Sequence, residues 1–352
     1  MLRPLVLLTA LNVLTHAGVF AADLAPDAAY AVAARPVFTK GPPPEADQVA
    51  AARQVIEAQA KTAPKEAKWA YALGRLADIE GDRAQGDARK AKRKEALEQF
   101  ERAVELKPDV ADYQFWMGSA AFDRVDDVNM LSQMSLASKG RKAFEKAIEL
   151  DPNHVGARVG LATFYLQAPS IAGGSPEKAK AQAEALLALP AKRGEFQGQM
   201  VMARLASDAK KWDEMLAHLK AAETAGGDGA DPLVALRSEA SVLLVQKKDV
   251  QAAAPIVDRY VKAAPADDVS AWFLSGELAR LQGHCADAVP KYDQVLAKFD
   301  GARGSRWGAA VCKDQLGQKD AARRDYEEFL KRFPDDDRAK DAKAALKRLS
   351  GS

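Results

Sequence analysis

The sequence predicts an all-α fold built from repeated helical hairpins. Alanine, leucine, lysine, glutamate and arginine dominate most of the chain, and aromatic residues make up only 7% of it, a composition that favours helices. From Glu45 onward, apolar residues recur at three- and four-residue intervals, as expected for helices with one buried face. A common helix ending also recurs along the chain: Glu-Leu-Lys-Pro at 105–108, Glu-Leu-Asp-Pro at 149–152 and Lys-Arg-Phe-Pro at 331–334.

The N-terminal residues 1–22 have the pattern of a secretory signal peptide. Arg3 precedes an apolar stretch from Leu5 to Phe20, and small residues follow at Ala21 and Ala22, where signal peptidase requires them. This stretch is short for a membrane span, so we expect cleavage, with an uncleaved anchor as the alternative. The pattern predicts a periplasmic or secreted protein whose mature chain has no integral membrane segment.

Residues 23–45 are expected to form a proline-rich, extended tether ahead of a helical domain over 46–350. Five prolines lie in this segment, at positions 26, 36, 42, 43 and 44. Proline removes a backbone donor and obstructs a continuing helix. We therefore predict no helix in this segment.

Two blocks of the helical region are near copies of each other. Residues 98–108 match residues 142–152, and each block follows a glycine, Gly74 or Gly118, by the same interval. These glycines are expected to let the two helices of a hairpin approach closely. The aromatic residues Phe100 and Phe144 would then fill the space between neighbouring hairpins.

These residues resemble the tetratricopeptide repeat family, whose pattern combines an aromatic residue, a Leu-Gly pair, a second aromatic residue, an alanine and a closing proline. The resemblance implies a right-handed superhelical solenoid of about seven hairpins. Second helices with a clear signature are expected at 94–107, 138–151, 286–299 and 319–333, and weaker ones at 177–189, 212–225 and 250–264. In the first two clear units, ten extra residues separate the glycine from the aromatic residue, and we expect them to form longer loops at one end of the solenoid.

The chain carries no recognisable catalytic motif. It lacks a P-loop, a nucleophile elbow, a zinc-protease helix and a dinucleotide-binding glycine loop. Its four histidines and two cysteines are too few and too scattered for a structural metal set. We therefore predict a protein that is not an enzyme and has no cofactor or metal site.

The charge balance excludes a dedicated nucleic-acid binder. Fifty-one lysines and arginines face forty-nine aspartates and glutamates, a net charge of +2, whereas such proteins usually carry a strongly basic face. The densest basic run consists of Arg89, Lys90, Lys92, Arg93 and Lys94. Its ordinary interpretation is a solvated helix start, and a weak contact with anionic lipid or an acidic partner is the alternative.

The resemblance also implies a concave groove lined by the first helix of each hairpin, and large rigid side chains in such a groove suit peptide recognition. In this register the expected partner-binding residues are Tyr71, Arg75, Phe115, Ser119, Phe122, Phe273, Glu277, Arg280 and Trp307. A shifted register that buries Phe115 or Trp307 in the core is left open.

The function predicted is therefore a non-enzymatic protein-protein interaction scaffold of the bacterial cell envelope that binds a protein or peptide partner. The alternative is a structural role in envelope assembly through oligomerisation of a helix face.

Cys285 and Cys312 are expected to form a disulfide bond. An even number of cysteines in an oxidising compartment tends to pair. The 27-residue spacing places the two residues on antiparallel neighbouring helices, at the start of one and near the end of the other. Their Cα atoms could then approach the roughly 4.4–6.8 Å that a disulfide requires.

Overall fold

A computed structural model describes residues 24–35 and 43–351. Within these residues the secondary structure is helical, without a strand, and the predicted all-α solenoid of helical hairpins is confirmed. The helices are α1 (Pro26–Ala33), α2 (Ala46–Thr62), α3 (Ala67–Arg83), α4 (Gly86–Leu106), α5 (Ala111–Asp123), α6 (Met130–Leu150), α7 (Val155–Gln167), α8 (Pro176–Leu187), α9 (Glu195–Asp208), α10 (Trp212–Thr224), α11 (Pro232–Ser241), α12 (Val250–Ala263), α13 (Val269–Leu281), α14 (Cys285–Lys298), α15 (Arg303–Gln315), α16 (Lys319–Arg332) and α17 (Ala339–Leu349).

The described residues divide into two compact units, unit 1 up to Gln182 and unit 2 from Ala183 onward. In unit 1, the hairpins α3–α4 and α5–α6 follow α1 and α2, and α7 packs on α6. In unit 2, the hairpins are α9–α10, α11–α12, α13–α14 and α15–α16, and α17 packs on the last of them.

Glycines and aromatic rings hold neighbouring helices together as predicted. A Cβ atom on Gly74 would lie 2.7 Å from the Phe100 ring, and one on Gly118 would lie 2.9 Å from the Phe144 ring. The ring of Phe144 also abuts Gly160 of the next hairpin, where a Cβ atom would lie 2.5 Å away. Since no side chain fits at these glycines without a shift, each ring holds the two helices of its own hairpin together, and the Phe144 ring also joins its hairpin to α7.

Residues 26–33 depart from the extended tether predicted for this region. They form helix α1, whose first residue is Pro26. Proline is tolerated there because the first N–H groups of a helix have no partner within it. Ala29 and Ala33 are buried against Val49 and Ile56 of α2, so packing on α2 stabilises a short helix that its sequence alone does not indicate. The predicted signal peptide and residues 36–42 lie outside the described residues.

Most of the ten extra residues in each of the first two clear units form helix, where loops were expected; in the second unit the connection at 124–129 is also longer. Helices α4 and α6 each have 21 residues, whereas the corresponding α14 and α16 have 14. Only Ala84 and Gln85 connect α3 to α4. The added segment of α4, rich in alanine, lysine and arginine, has high helix propensity, so it extends the second helix.

Candidate partner-binding site

Five of the predicted partner-binding residues lie in unit 1, and most of them are engaged inside the fold. Tyr71, Arg75 and Phe115 are only 5%, 6% and 7% exposed, while Ser119 and Phe122 are partly buried. Because a partner contacts exposed atoms, the first three offer little surface to one.

Arg75 is held by two aromatic side chains. Its Nη1 atom donates a hydrogen bond to the Tyr71 hydroxyl at 3.3 Å, and its guanidinium lies 3.6 Å from the centroid of the Trp116 ring. Tyr71 also stacks on Tyr113, with the ring centroids 4.8 Å apart. Burial raises the pKa of the Tyr71 hydroxyl, which therefore stays protonated. These contacts bring α3 and α5 together.

Phe115 and Phe122 belong to the core between helices. Phe115 lies 5.7 Å from Phe144 and 4.9 Å from His154, measured between ring centroids. Phe122 lies 5.4 Å from Phe144 and 5.6 Å from Phe164. For Phe115 the structure thus has the buried register that the sequence left open.

The predicted residues Glu277 and Arg280 of unit 2 form a network with Tyr292. Glu277 is 6% exposed; it accepts a hydrogen bond from the Tyr292 hydroxyl at 2.9 Å and one from Arg280 at 2.6 Å. Burial raises the pKa of the Tyr292 hydroxyl, with a further contribution from the charge of Glu277. The Glu277 carboxylate and the Arg280 guanidinium therefore bond to each other and to Tyr292 within the fold.

Trp307 and Phe273 have different surroundings. Trp307 packs inside the last hairpin, 5.8 Å from Tyr326 and 5.4 Å from Phe329 between ring centroids. Phe273 is partly exposed and lies against α15, where a Cβ atom on Gly304 would be 2.9 Å from its ring. Of the nine predicted residues, Phe273 lines a cleft of unit 2.

This cleft, which we call the Phe273 cleft, has a volume of about 370 Å³ and lies between α9, α10, α11 and α13. Its walls combine aromatic and aliphatic side chains with hydroxyl groups and one arginine. The lining residues are Ser207, Trp212, Met215, Arg237, Ser238, Ser241, Val242, Gln246, Ser270, Phe273 and Leu274.

A π-helix shapes one wall of the Phe273 cleft. Residues Val242–Lys247 continue α11 in π-helical geometry, an uncommon form found frequently at functional sites. The segment ends at Lys248 in the left-handed conformation, with φ of 53°, and the Asp249 N–H donates to the Leu243 carbonyl at 2.9 Å. A left-handed residue at the end of a helix is usually glycine. The sequence Lys247-Lys248-Asp249 therefore did not predict this ending.

The basic run on α4 is largely neutralised by acidic neighbours. Lys92 pairs with Glu80 at 2.7 Å and with Glu95 at 2.8 Å, and Arg93 pairs with Asp127 at 3.6 Å. Lys90 and Lys94 pair within α4 with Asp87 and Glu98. These pairs leave little free positive charge for an anionic surface.

A partly buried carboxyl group, Asp78, lies on α3 beside other charged groups. Burial, together with the negative charges of Asp123 and Asp82, raises its pKa to about 7. The cations of Arg75 and Arg93 act in the opposite direction. In an unfolded chain an aspartate ionises near pH 4, so ionisation of Asp78 opposes folding.

We expect the Asp78→Asn variant to be more stable than the wild type at high pH. The pKa of Asp78 is higher in the folded state, so its cost to folding begins above about pH 4 and is complete above about pH 7. Three pKa units correspond to about 4 kcal/mol, which we halve to about 2 kcal/mol because the group is partly exposed to solvent. Urea unfolding from about pH 4 to pH 8 measures this difference, which should vanish at the acidic end.

The matched control is Asp87→Asn, which removes an exposed carboxylate at the start of α4. It should leave the pH dependence of unfolding unchanged. Equal stabilities of wild type and Asp78→Asn at every pH would contradict the prediction.

Cys285 and Cys312 form a disulfide bond in unit 2, with their Cα atoms 4.9 Å apart. The bond joins the first turn of α14 to the last turn of α15, in the antiparallel arrangement that the sequence predicted. Both side chains are buried, at 4% and 0% exposure.

The described residues contain neither a cluster of metal-binding side chains nor a membrane-spanning helix. Across residues 24–35 and 43–351, no group of three or more histidine, cysteine, aspartate or glutamate side chains is placed to hold a metal ion. Over the same residues, no helix combines the length and the apolar character that crossing a membrane requires.

Parts of the chain match a known repeat family. The tetratricopeptide repeat family model matches residues 82–128, 239–303 and 273–337. No curated protein matches the sequence.

Solved structures share the fold at low sequence identity. Yeast Tom70 has a TM-score of 0.51 at 15% identity, covering 87% of this chain and 58% of its own. The anaphase-promoting-complex assembly Cut9–Hcn1 has a TM-score of 0.52 at 15% identity, covering 87% and 56%. A tetratricopeptide repeat protein of Thermus thermophilus, TTC0263, is 20% identical over 56% of this chain and 92% of its own, with a TM-score of 0.43.

Proposed function

We propose that this repeat protein is a non-enzymatic interaction scaffold of the bacterial cell envelope, and that it binds a peptide or protein partner in the Phe273 cleft. Tetratricopeptide repeats generally serve as protein-interaction scaffolds. The model of this repeat family matches the chain at residues 82–128 and 239–337.

The observation that carries the proposal is the composition of the Phe273 cleft. Its volume of about 370 Å³ lies within the range of ligand sites, which are typically lined by apolar side chains with a few polar groups. Trp212 and Phe273 supply the aromatic surface, and Ser241 and Ser270 supply hydroxyl groups. Aromatic side chains of this kind carry much of the binding energy at protein interfaces.

The envelope location rests on two separate features. The N-terminal residues 1–22 have the pattern of a secretory signal peptide. The Cys285–Cys312 disulfide is typical of proteins in oxidising compartments. Cell fractionation, with mass spectrometry of the mature N-terminus, tests this location.

Site-specific photo-crosslinking tests the cleft as the contact. A photoreactive amino acid at Gln246, an exposed residue of the cleft, is expected to give a discrete adduct with one partner in envelope extract. The variant Ser241→Trp, which places a large ring in the cleft, should abolish that adduct.

The control position is Lys262, an exposed residue of α12 that does not line the cleft. The same photoreactive group there should give no such adduct. An adduct that persists in Ser241→Trp, or that forms equally from position 262, would contradict the proposal. Circular dichroism of Ser241→Trp establishes that this variant remains folded.

A further inference from the structure

The Phe273 cleft contains a cation that has no carboxylate partner among the described residues. Arg237 is exposed and lines the cleft, and among the described residues it forms no ion pair or hydrogen bond. An arginine offers several N–H donors in a planar arrangement that matches a carboxylate. It is therefore available to a ligand.

Three acidic residues beside the cleft are engaged elsewhere, and Glu239, whose Oε2 atom has no hydrogen-bond partner, does not line the cleft. Asp208 accepts a hydrogen bond from Arg204 at 3.0 Å, Asp213 pairs with Lys247, and Asp268 accepts one from the Tyr260 hydroxyl at 3.0 Å. None of the eleven lining residues is acidic. A cationic ligand would thus meet no carboxylate in the lining and would be repelled by the arginine.

The rest of the cleft favours an apolar side chain beside the charge. The apolar part of its lining consists of Trp212, Met215, Val242, Phe273 and Leu274. Burying an aliphatic or aromatic side chain there would stabilise the complex by removing apolar surface from water. The hydroxyls of Ser207 and Ser241 can bond the backbone of an extended chain, whereas the Ser238 hydroxyl donates to the Val234 carbonyl at 2.8 Å.

We infer that the Phe273 cleft recognises an acidic peptide segment, in which an apolar side chain lies next to a carboxylate that pairs with Arg237. This inference rests on the proposed function and adds the chemical class of the partner.

A charge exchange tests it on the full chain with purified components. The probes are three short fluorescein-labelled peptides, identical except at one position beside a single leucine, where they carry glutamate, glutamine or lysine. By fluorescence polarisation, the wild type should prefer the glutamate peptide to the lysine peptide by about fivefold, as expected for one solvent-exposed ion pair. Arg237→Glu should reverse this order.

The matched control is Lys262→Glu, which makes the same change of charge on α12 outside the cleft lining. It should keep the wild-type order of the three peptides, and Ser241→Trp should weaken binding of all of them. Three results would overturn the inference: an unchanged order in Arg237→Glu, the same reversal in Lys262→Glu, or no binding of any peptide by the wild type.

The two experiments separate the two proposals. If the crosslink at Gln246 forms while the peptide order does not change with charge, the cleft is a partner site but its partner is not acidic. If neither the crosslink nor peptide binding occurs, the proposed function of the cleft fails as well.

Discussion

Replacing Cys285 and Cys312 by alanine is expected to lower the free energy of unfolding of unit 2 by about 3.5 kcal/mol. The disulfide closes a loop with a sequence separation of 27 residues, and a loop of this size restricts the unfolded chain substantially. Unfolding in guanidinium chloride, followed by circular dichroism with and without reductant, measures the loss.

Single replacements separate the crosslink from packing. Either Cys285→Ala or Cys312→Ala already removes the whole crosslink, so each should destabilise nearly as much as the double variant. Two buried thiols acting only as apolar side chains would instead give smaller, additive losses, and reductant would leave the wild type unchanged. Alkylation of the unreduced, denatured protein should label neither cysteine.

The repeated units were predictable from sequence because their determinants are close together in the chain. Second helices expected at 286–299 and 319–333 are found as α14 (Cys285–Lys298) and α16 (Lys319–Arg332). A glycine, an aromatic residue and a proline at fixed spacing determine where a hairpin packs and where it ends. The length of α4 was missed because residues 86–93 lack this signature while their composition still favours helix.

The candidate site was predicted less well, since its exposure depends on packing between hairpins. Phe273 was found because it belongs to a clear unit, whereas Trp212 and Ser241 lie in hairpins that lost the signature residues. The π-helix at Val242–Lys247 that shapes the cleft has no local sequence rule. Arg75 and Glu277 were expected to contact a partner protein. Within the fold, however, Arg75 packs on the Trp116 ring and Glu277 accepts a hydrogen bond from Tyr292.

Two Gly→Ala substitutions in the same helix, α3, are expected to have opposite effects. At Gly74 the new Cβ atom would lie 2.7 Å from the ring of Phe100, which is fully buried, so the hairpin must move apart or the ring must shift. Such overpacking destabilises by about 1–3 kcal/mol, and the tightness here favours the upper end. At Gly81 the nearest atom would be the Lys92 Cβ at 3.4 Å, an ordinary contact.

Gly81→Ala should therefore stabilise unit 1 by about 0.5–1 kcal/mol, because alanine loses less backbone entropy in a helix than glycine. This variant controls for helix propensity, which both substitutions change equally. Combining Gly74→Ala with Phe100→Leu tests the contact itself: the smaller side chain relieves the clash, so the double variant should lose less stability than the two single losses added together. Urea unfolding of the four variants measures these differences. Additive losses, or a Gly74→Ala variant as stable as Gly81→Ala, would show that the glycine–ring contact does not hold the hairpin together.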